Sequence, residues 1–566
     1  MKTKGKGDRV YTSHLLRRSY RDGGKVRHEN LGNLSHLPPH ALEAVRLALS
    51  GRVLVDLDEN FEIARSLPHG HVQAVLGVLR SLDLERLISR ERCRERDLVV
   101  AMICQALIGP GSKLSVTRRL SQSTLAEELC LGEVTEAELL SAMDWLLARQ
   151  PRIEKALARR HLEREGDQAF VLYDLSSSYM EGRCCPLASL GHSRDGKKGK
   201  LQINYGLACS PKGRPVAVEV HEGRTQDQQT LLGAVASVTK RFGIERVVFV
   251  GDRGMITQSH AETLKQQGID FVSALKAPQI KALVETGELQ LSLFDERNLA
   301  EISSDRYPGE RLVVCRNPTV AKERARKRED LLQGTETELA KVKAMVEGER
   351  GRLKNADAGK IGERAGRVIN KYKVAKHFEL QIADRSFSYA RKSEQIAAEA
   401  ALDGLYVLRT TCAEDELGPP AVVRAYKQLK VAERAFRTMK GALDIRPIHH
   451  HLEERVRAHV FLCMLAYYVS FELQARLTPL LFTDQSPIAP IDPVAPAERS
   501  ETAKAKAGSH TTEDGLPASS LQDLLAELGT LCRTELRVGK AEHTFKRLTT
   551  PTPLQTRAFE LLDVKP

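Results

Sequence analysis

Between residues 168 and 275 the apolar positions come in short blocks, each closed by a turn residue or a charge. Phe170-Val-Leu-Tyr173 reads as a strand ending at Asp174. Residues 201–209 read as a second strand and 216–220 as a third, with Pro211-Lys-Gly-Arg214 as the turn between them. A helix is expected over about 226–242. The β-branched block Arg246-Val-Val-Phe-Val250 then forms a strand that stops at Gly251-Asp252. A helix at about 257–268 leads to a last strand, Phe271-Val-Ser-Ala-Leu275.

On either side of this region the spacing is helical. Asp97-Leu-Val-Val-Ala-Met-Ile-Cys-Gln-Ala-Leu-Ile108 is an apolar helix that breaks at Gly109-Pro-Gly111, and helices follow around 123–130 and 135–163. Nearer the start, Asp22-Gly-Gly24 places a turn between two short extended segments with basic flanks, a hairpin pattern. After residue 280 extended pieces mix with a highly charged helical stretch, 321–376. There Leu332, Leu339, Val346 and Leu353 recur every seven residues, but the companion positions Thr335, Val342 and Glu349 make a poor coiled-coil seam. That predicts one apolar stripe packed on its neighbour, not a dimer zipper. A strand at 405–410 follows, then a long helix from about 422 past 440 and a second from 452 to about 477. Pro487, Pro490, Pro493 and Pro496 open a flexible linker, and a short helix and tail close the chain.

Three antiparallel strands, then helix, strand, helix, strand, is the order of a ribonuclease H-like core. The expected fold class is therefore α/β: a ribonuclease H-like catalytic core with a large insertion, preceded by a mainly helical N-terminal domain. The boundaries read as a small basic module at 1–55, a helical, DNA-binding domain at 56–165, the core at 166–279, an insertion at 280–420, the core again with its catalytic helix at 421–477, a linker at 478–520 and a tail at 521–566.

Composition narrows the partners only modestly. Among 566 residues, 86 basic against 74 acidic side chains leave a net charge of +12, which permits nucleic acid without demanding it. None of the ten cysteines forms a C-x-x-C pair, so no zinc-finger spacing exists and the thiols read as those of a reducing cytosol. No signal peptide follows the first charged residues. The longest uncharged apolar run, 460–471, is too short to span a bilayer, so the expectation is a cytoplasmic, nucleoid-associated protein with no membrane partner.

Three carboxylates carry the candidate chemistry. Asp174 and Asp252 each follow a strand, and strand ends are where α/β folds bind ligands. Glu433 lies in the helix that returns after the insertion. Oxygen donors of this kind suit magnesium, and three of them can hold two ions for phosphodiester chemistry. Tyr426, Glu433 and Lys440 are spaced by seven and seven, with a drift of only about 20° per heptad, so they share one helix face with Arg437 beside it. Taken singly each motif is bland, since an aspartate after a strand is commonly a cap and a Glu/Lys heptad a solvated face. Gly109-Pro-Gly-Ser-Lys-Leu-Ser115 lacks the Gly-Lys-Ser/Thr adjacency of a phosphate-binding loop. His449-His-His451, like His69 and His71, reads as a polar turn.

Together the motifs are specific. Tyr426-Lys-Gln-Leu-Lys-Val-Ala-Glu433-Arg-Ala-Phe-Arg-Thr-Met-Lys440 resembles the Tyr-(2)-Arg-(3)-Glu-(6)-Lys signature of bacterial insertion-sequence transposases of the DDE type. Gly251-Asp252-Arg253-Gly254-Met255 resembles the segment around their second aspartate, and Tyr173-Asp174-Leu-Ser-Ser-Ser-Tyr179 the segment around their first. The stretches 191–195, 222–227, 446–449 and 455–459 share the likeness, which covers roughly 165–475. The resemblance implies that Asp174, Asp252 and Glu433 are catalytic and bind two Mg2+ ions, with Mn2+ able to substitute. It implies DNA contacts at Tyr426, Lys440, Arg437 and Arg253, and a homodimer acting on terminal inverted repeats and target double-stranded DNA. Cleavage frees a 3′-hydroxyl that attacks a second phosphodiester, making a hairpin or a joint to target DNA. One position departs: the signature's arginine is Leu429 here, which puts that DNA contact in doubt, with Lys430 or Arg437 as replacements. A ribonuclease H-like nuclease that never transposes, and a catalytically inactive DNA-binding derivative, are the alternative readings.

Overall fold

The computed structural model describes residues 2–4, 10–52, 61–162, 164–165, 168–225, 232–233, 235, 242, 247–253, 255–290, 294, 298–348, 353, 355–484, 492–495, 497–538 and 544–566. The chain forms two compact units, Met1–Leu67 with Cys532–Thr550, and Pro68–Leu531 with Pro551–Pro566.

In the first unit an antiparallel hairpin pairs Leu15–Asp22 with Lys25–Asn33. Its turn is made by Gly23 and Gly24, both at positive φ, where a side chain would be strained. A helix, Pro39–Leu49, follows. Strand Phe61–Pro68 lies beside Cys532–Val538, which in turn pairs with Thr544–Leu548. The end of the chain is thus not the tail expected from residue 521 onward. Its strands alternate Thr, Leu and Val with charges, a pattern too polar to announce burial on its own. In the second unit, helix Leu521–Gly529 packs on the helical layer, as does Pro553–Leu562, which starts from a Thr552 capping box.

That layer is built from α1 (Gly70–Ser81), α2 (Arg94–Ile108), α3 (Lys113–Leu120), α4 (Glu136–Leu147) and α5 (Gln150–His161). From Leu98 to Cys104 every side chain of α2 is buried, as expected of a helix apolar all round. The single helix expected over 135–163 is two, because Pro151 can sit in a first turn but not in a helix interior.

The layer packs on one mixed sheet. Its first strands are β1 (Gln168–Tyr179), β2 (Gln202–Cys209), β3 (Pro215–Glu222), β4 (Val247–Gly251) and β5 (Asp270–Ala274). Strands β1, β2 and β3 are antiparallel neighbours, while β4 runs parallel to β1 and β5 parallel to β4. β1 does not stop at Asp174. Its pairing with β2 continues from Leu175↔Gly206 to Tyr179↔Gln202, because small serines at 176–178 fit the buried ladder and Ser178 meets the Tyr205 hydroxyl at 3.1 Å. The helix expected over 226–242 lies almost entirely outside the described residues. The one over 257–268 is α6 (Gln258–Gln266), capped by Thr257.

After α7 (Ala277–Glu285) the chain enters the inserted segment. Strands β6 (Leu299–Ile302) and β7 (Arg311–Arg316) precede the long helix α8 (Pro318–Glu347) and α9 (Ala358–Tyr372). A hairpin, β8 (Phe378–Ala383) with β9 (Ser386–Arg391), a short helix α10 (Ser393–Ala400) and β10 (Leu405–Thr410) complete it. Leu332, Leu339, Val342 and Val346 of α8 are buried against Ile361, Ala365 and Ile369 of α9 and Phe387 of β9. The apolar stripe therefore packs within the chain. Strands β6, β7 and β10 do not form a separate sheet: the strand order is β6-β7-β10-β5-β4-β1-β2-β3, with the short strand Arg164–Glu165 also pairing with β1 off this path.

The long helix expected from 422 is α11 (Pro419–Lys427) and α12 (Leu429–Lys440), which meet at Gln428. α13 (Glu453–Leu477) is long and apolar enough to cross a membrane, but 83% of its apolar window is buried inside the protein, against β3, α2 and α4. The stretch expected as a linker carries structure where it is described. Helix Glu501–Ser509 buries Lys506, whose ammonium donates to the carbonyls of Thr478 and Leu481 at 3.2 and 3.1 Å. Three of the four linker prolines, at 487, 490 and 496, lie outside the described residues.

Candidate active site

Parallel pairing sets the first two acids side by side. Gly251 of β4 is in register with Tyr173 of β1, so the next residues, Asp252 and Asp174, stand on neighbouring strands about 4.8 Å apart. Glu433 comes from α12, which lies across β1 and β2. Leu429, Ala432, Ala435, Phe436 and Met439 bury one face of α12, with Phe436 meeting Tyr205 edge-on at 5.5 Å, so Glu433 is left on the exposed side.

The three carboxylates line two adjoining cavities. One, of about 270 Å³, also has Arg253, Tyr426, Leu429 and Lys430 on its walls. The other, of about 510 Å³, adds Arg194, Asp195, Arg437, Lys440 and Arg446. A larger trough of about 970 Å³ runs on through Arg253, Arg324 and Leu405, which line both it and the first cavity. Its walls are α7, α8, the end of α9 and α10, with Lys281, Lys327, Tyr372 and Lys373 among them. Arg328 in this trough is paired with Asp403 and Lys376 with Glu399, whereas Arg324, Lys327 and Lys373 have no ion-pair partner among the described residues.

Both aspartates are oriented by backbone N–H groups, and Asp252 by a neighbouring hydroxyl as well. The Leu175 N–H donates to Asp174 Oδ1 at 2.8 Å, and the Arg253 N–H donates to Asp252 Oδ1 at 2.6 Å. The Tyr426 hydroxyl donates to the same Asp252 oxygen at 3.1 Å. Asp174 touches cavity space but is otherwise ringed by protein. That burial, with the charges of Asp252 and Glu433 adding to it against the pull of the Leu175 N–H and Arg194, pushes its carboxyl up to about 7. Burial and the adjacent Asp252 raise the Tyr426 phenol well above its ordinary value, so it stays a donor.

The break at Gln428 puts Tyr426 on α11 and Glu433 with Lys440 on α12, yet all three side chains still face the acids. Tyr426 is engaged with Asp252, and Lys440 donates to Asp195 at 2.7 Å. Arg253 and Arg437 stand exposed at the cavity edges. Leu429 is buried and only its edge reaches the first cavity, while Lys430 and Arg437 flank Glu433 from either side. The sequence assigns no role to Asp195, Arg194 or Arg446: the likeness over 191–195 and 446–449 covers them without singling any of them out. Among the described residues no three His, Cys, Asp or Glu side chains are close enough to hold one ion between them.

Residues 183–469 match the transposase DDE domain family, and residues 1–53 match the N-terminal domain of IS1634 family transposases. The first match holds Asp252 and Glu433 and begins nine residues after Asp174. A search of curated proteins found no match. Among solved structures, the cryo-EM structure of the piggyBac transposase synaptic complex with hairpin DNA is similar at 10% identity. That likeness covers 81% of this chain and 76% of that one, with a TM-score of 0.33, too weak to place any residue. A DDE domain implies a ribonuclease H-like core, and DDE transposases typically use divalent metals. With half of the chain matched by the catalytic family and its start matched by the companion N-terminal family, this protein belongs to the DDE transposases, as an IS1634-family transposase of an insertion sequence.

Proposed function

We propose that Asp174, Asp252 and Glu433 are the acids with which this transposase cuts the ends of its element and joins them to new DNA. The observation that carries this is their convergence from β1, β4 and α12 on the same two cavities, where burial, with the other two acids adding to it, pushes the Asp174 carboxyl up to about 7. The order β3-β2-β1-β4-β5, with the first three antiparallel, supports a ribonuclease H-like core interrupted by an insertion at 280–420 and preceded by a mainly helical domain.

The donor set fits a hard divalent cation. It is all carboxylate, with no thiol or imidazole, and Asp252 and Glu433 both work against ionisation of Asp174, a repulsion that a bound cation would relieve. Asp174, Asp252 and Glu433 would supply the protein oxygens for two Mg2+ ions, with Mn2+ able to substitute. When bound, such ions supply charge stabilisation at the attacking and leaving oxygens of an in-line displacement.

The protein's own groups do the rest. Tyr426 holds the Asp252 carboxylate in one orientation. Arg253, Lys430, Arg437 and Lys440 bring positive charge to the phosphates on both sides of the acids. The trough between α7, α8 and α10 extends that basic path into the insertion. The hairpin Leu15–Asp22/Lys25–Asn33 carries Arg17, Arg18, Arg21, Lys25 and Arg27 in the open, and a two-stranded ribbon of this kind fits the major groove of the terminal repeats. Two element ends must be cut together, so the active form is a homodimer on DNA, working in the cytoplasm on the nucleoid.

The test is cleavage and strand transfer of end-labelled repeat DNA with magnesium present or chelated. Asp174→Asn, Asp252→Asn and Glu433→Gln should each abolish both products while leaving repeat binding intact. Cutting without joining would favour a hydrolytic nuclease, and activity in any of the three variants would remove that acid from the site.

A further inference from the structure

The cavity that holds the three acids contains a fourth carboxylate with a different environment. Asp195 has a side chain only 1% exposed, and a buried charge of this kind persists only when it is fully paired. Its Oδ1 accepts from Lys440 Nζ at 2.7 Å and from Arg446 Nη1 at 2.5 Å, and its Oδ2 accepts from the Tyr179 N–H at 3.1 Å. The loop that carries it is pinned to the same strand, because the Arg194 N–H donates to Ser177 Oγ at 2.9 Å.

The partners matter more than the pairing itself. Tyr179 is the last residue of β1, five positions beyond Asp174. Lys440 is the last residue of α12, two turns beyond Glu433. One buried carboxylate therefore ties the end of the Asp174 strand to the end of the Glu433 helix. The same carboxylate places two cations side by side on the cavity wall. Lys440 and Arg446 keep 11% and 28% of their side chains exposed, and each has donors beyond the one that Asp195 uses.

We propose that Asp195 is a positioning residue for strand cleavage: it fixes the spacing of Asp174 and Glu433 and holds Lys440 and Arg446 toward a phosphate beside the one being cut. A carboxylate whose charge is already matched by two cations and which is 1% exposed is a poor metal ligand, which separates it from the other three acids. Asp195 acts through its partners, so its loss should lower turnover without weakening the grip on DNA. Removing one negative charge from a DNA-binding wall would if anything tighten that grip.

The proposal rests on the reading of Asp174, Asp252 and Glu433 as the catalytic acids, and its test separates the two. Turnover and half-saturating DNA concentration are measured for Asp195→Asn, Lys440→Met and the double variant, and repeat binding is measured in chelator. Asp195→Asn should lower turnover about 10- to 100-fold, the scale of a misplaced catalytic group, and change binding in chelator less than about threefold. The double variant should be no more than about twofold slower than the slower single, as expected when two residues act as one unit. Multiplying losses would overturn the proposal. So would turnover within twofold of the parent, or a binding loss as large as the turnover loss. If Asp195→Asn does not fold, Asp195→Glu takes its place: it keeps the charge and should fall between parent and Lys440→Met, and a slower rate than Lys440→Met would overturn the proposal. Asp174→Asn serves as the control, since cleavage surviving it sinks the acid reading while the binding arm for Asp195, run without metal, still stands.

Discussion

Replacing Asp174 by Asn should make the metal-free protein more stable at neutral pH while destroying its activity. The carboxyl rises from an ordinary 3.8 to about 7 in the folded chain. At about 1.4 kcal/mol per pH unit, that rise penalises the ionised, folded form by at most about 4 kcal/mol. Asp174 borders open cavity space, so about 2–4 kcal/mol is the range to expect. The sign follows from proton binding. Between pH 4 and 7 the folded chain holds this proton and the unfolded chain does not, so wild-type stability falls as pH rises through that window. Below pH 4 the penalty is absent, and above 7 it is complete. Asn cannot ionise, and its carbonyl still accepts the Leu175 N–H. The variant should therefore match wild type near pH 4 and exceed it at pH 8. For a unit of this size an unfolding entropy of about 1 kcal/mol/K gives a rise of about 2–4 °C. Thermal unfolding of both proteins in chelator at pH 4.5, 6 and 8 measures this, and magnesium at pH 8 should stabilise wild type more than the variant. Equal stabilities at pH 8, or a gap that widens toward acid, would refute the electrostatic argument.

Other outcomes can be stated more briefly. Tyr426→Phe removes the hydroxyl that donates to Asp252, and should lower cleavage about tenfold at limiting magnesium without changing the melting temperature by more than about 1 °C. Lys327→Glu and Lys373→Glu, in the trough of the insertion, should each weaken DNA binding across sequences and reduce the salt dependence of affinity by about one phosphate contact, read from a salt titration in chelator. Gly213→Ala should cost about 2–4 kcal/mol. Gly213 sits at φ +94°, and an added Cβ would lie 1.9 Å from Val431 Cγ1 on the helix that carries Glu433, so both unfolding temperature and cleavage should fall.

Much of the site could be read in the chain because its parts are local. β-branched blocks announce strands β1 and β4, and the acids sit one residue past the same register, so the pairing of Asp174 with Asp252 needed only the parallel arrangement. Glu433 announced itself through helical spacing to Tyr426 and Lys440, a spacing that survives the bend at Gln428 because that junction keeps helical backbone angles. What could not be read depends on distant partners. The serines after Asp174 look like a loop until β2 is beside them. Asp195 looks like any surface aspartate until Lys440 and Arg446, about 250 residues away in sequence, close on it. Lys506 reads as linker polarity until two carbonyls at the end of α13 take its ammonium. Strand Leu405–Thr410 was visible as a strand, but nothing in its own residues says that it lies between β5 and β7.

That last placement bears on how the enzyme can be dissected. Because β10 continues the ladder directly from β5, excising residues 280–410 would not yield a smaller working nuclease. It would strip a protective neighbour from a buried, apolar strand two places from Asp174 and leave a row of unmatched amides open to any other chain. The shortened protein should clump, and a minimal version of this enzyme has to keep the added strands even if it sheds the helices that hang from them.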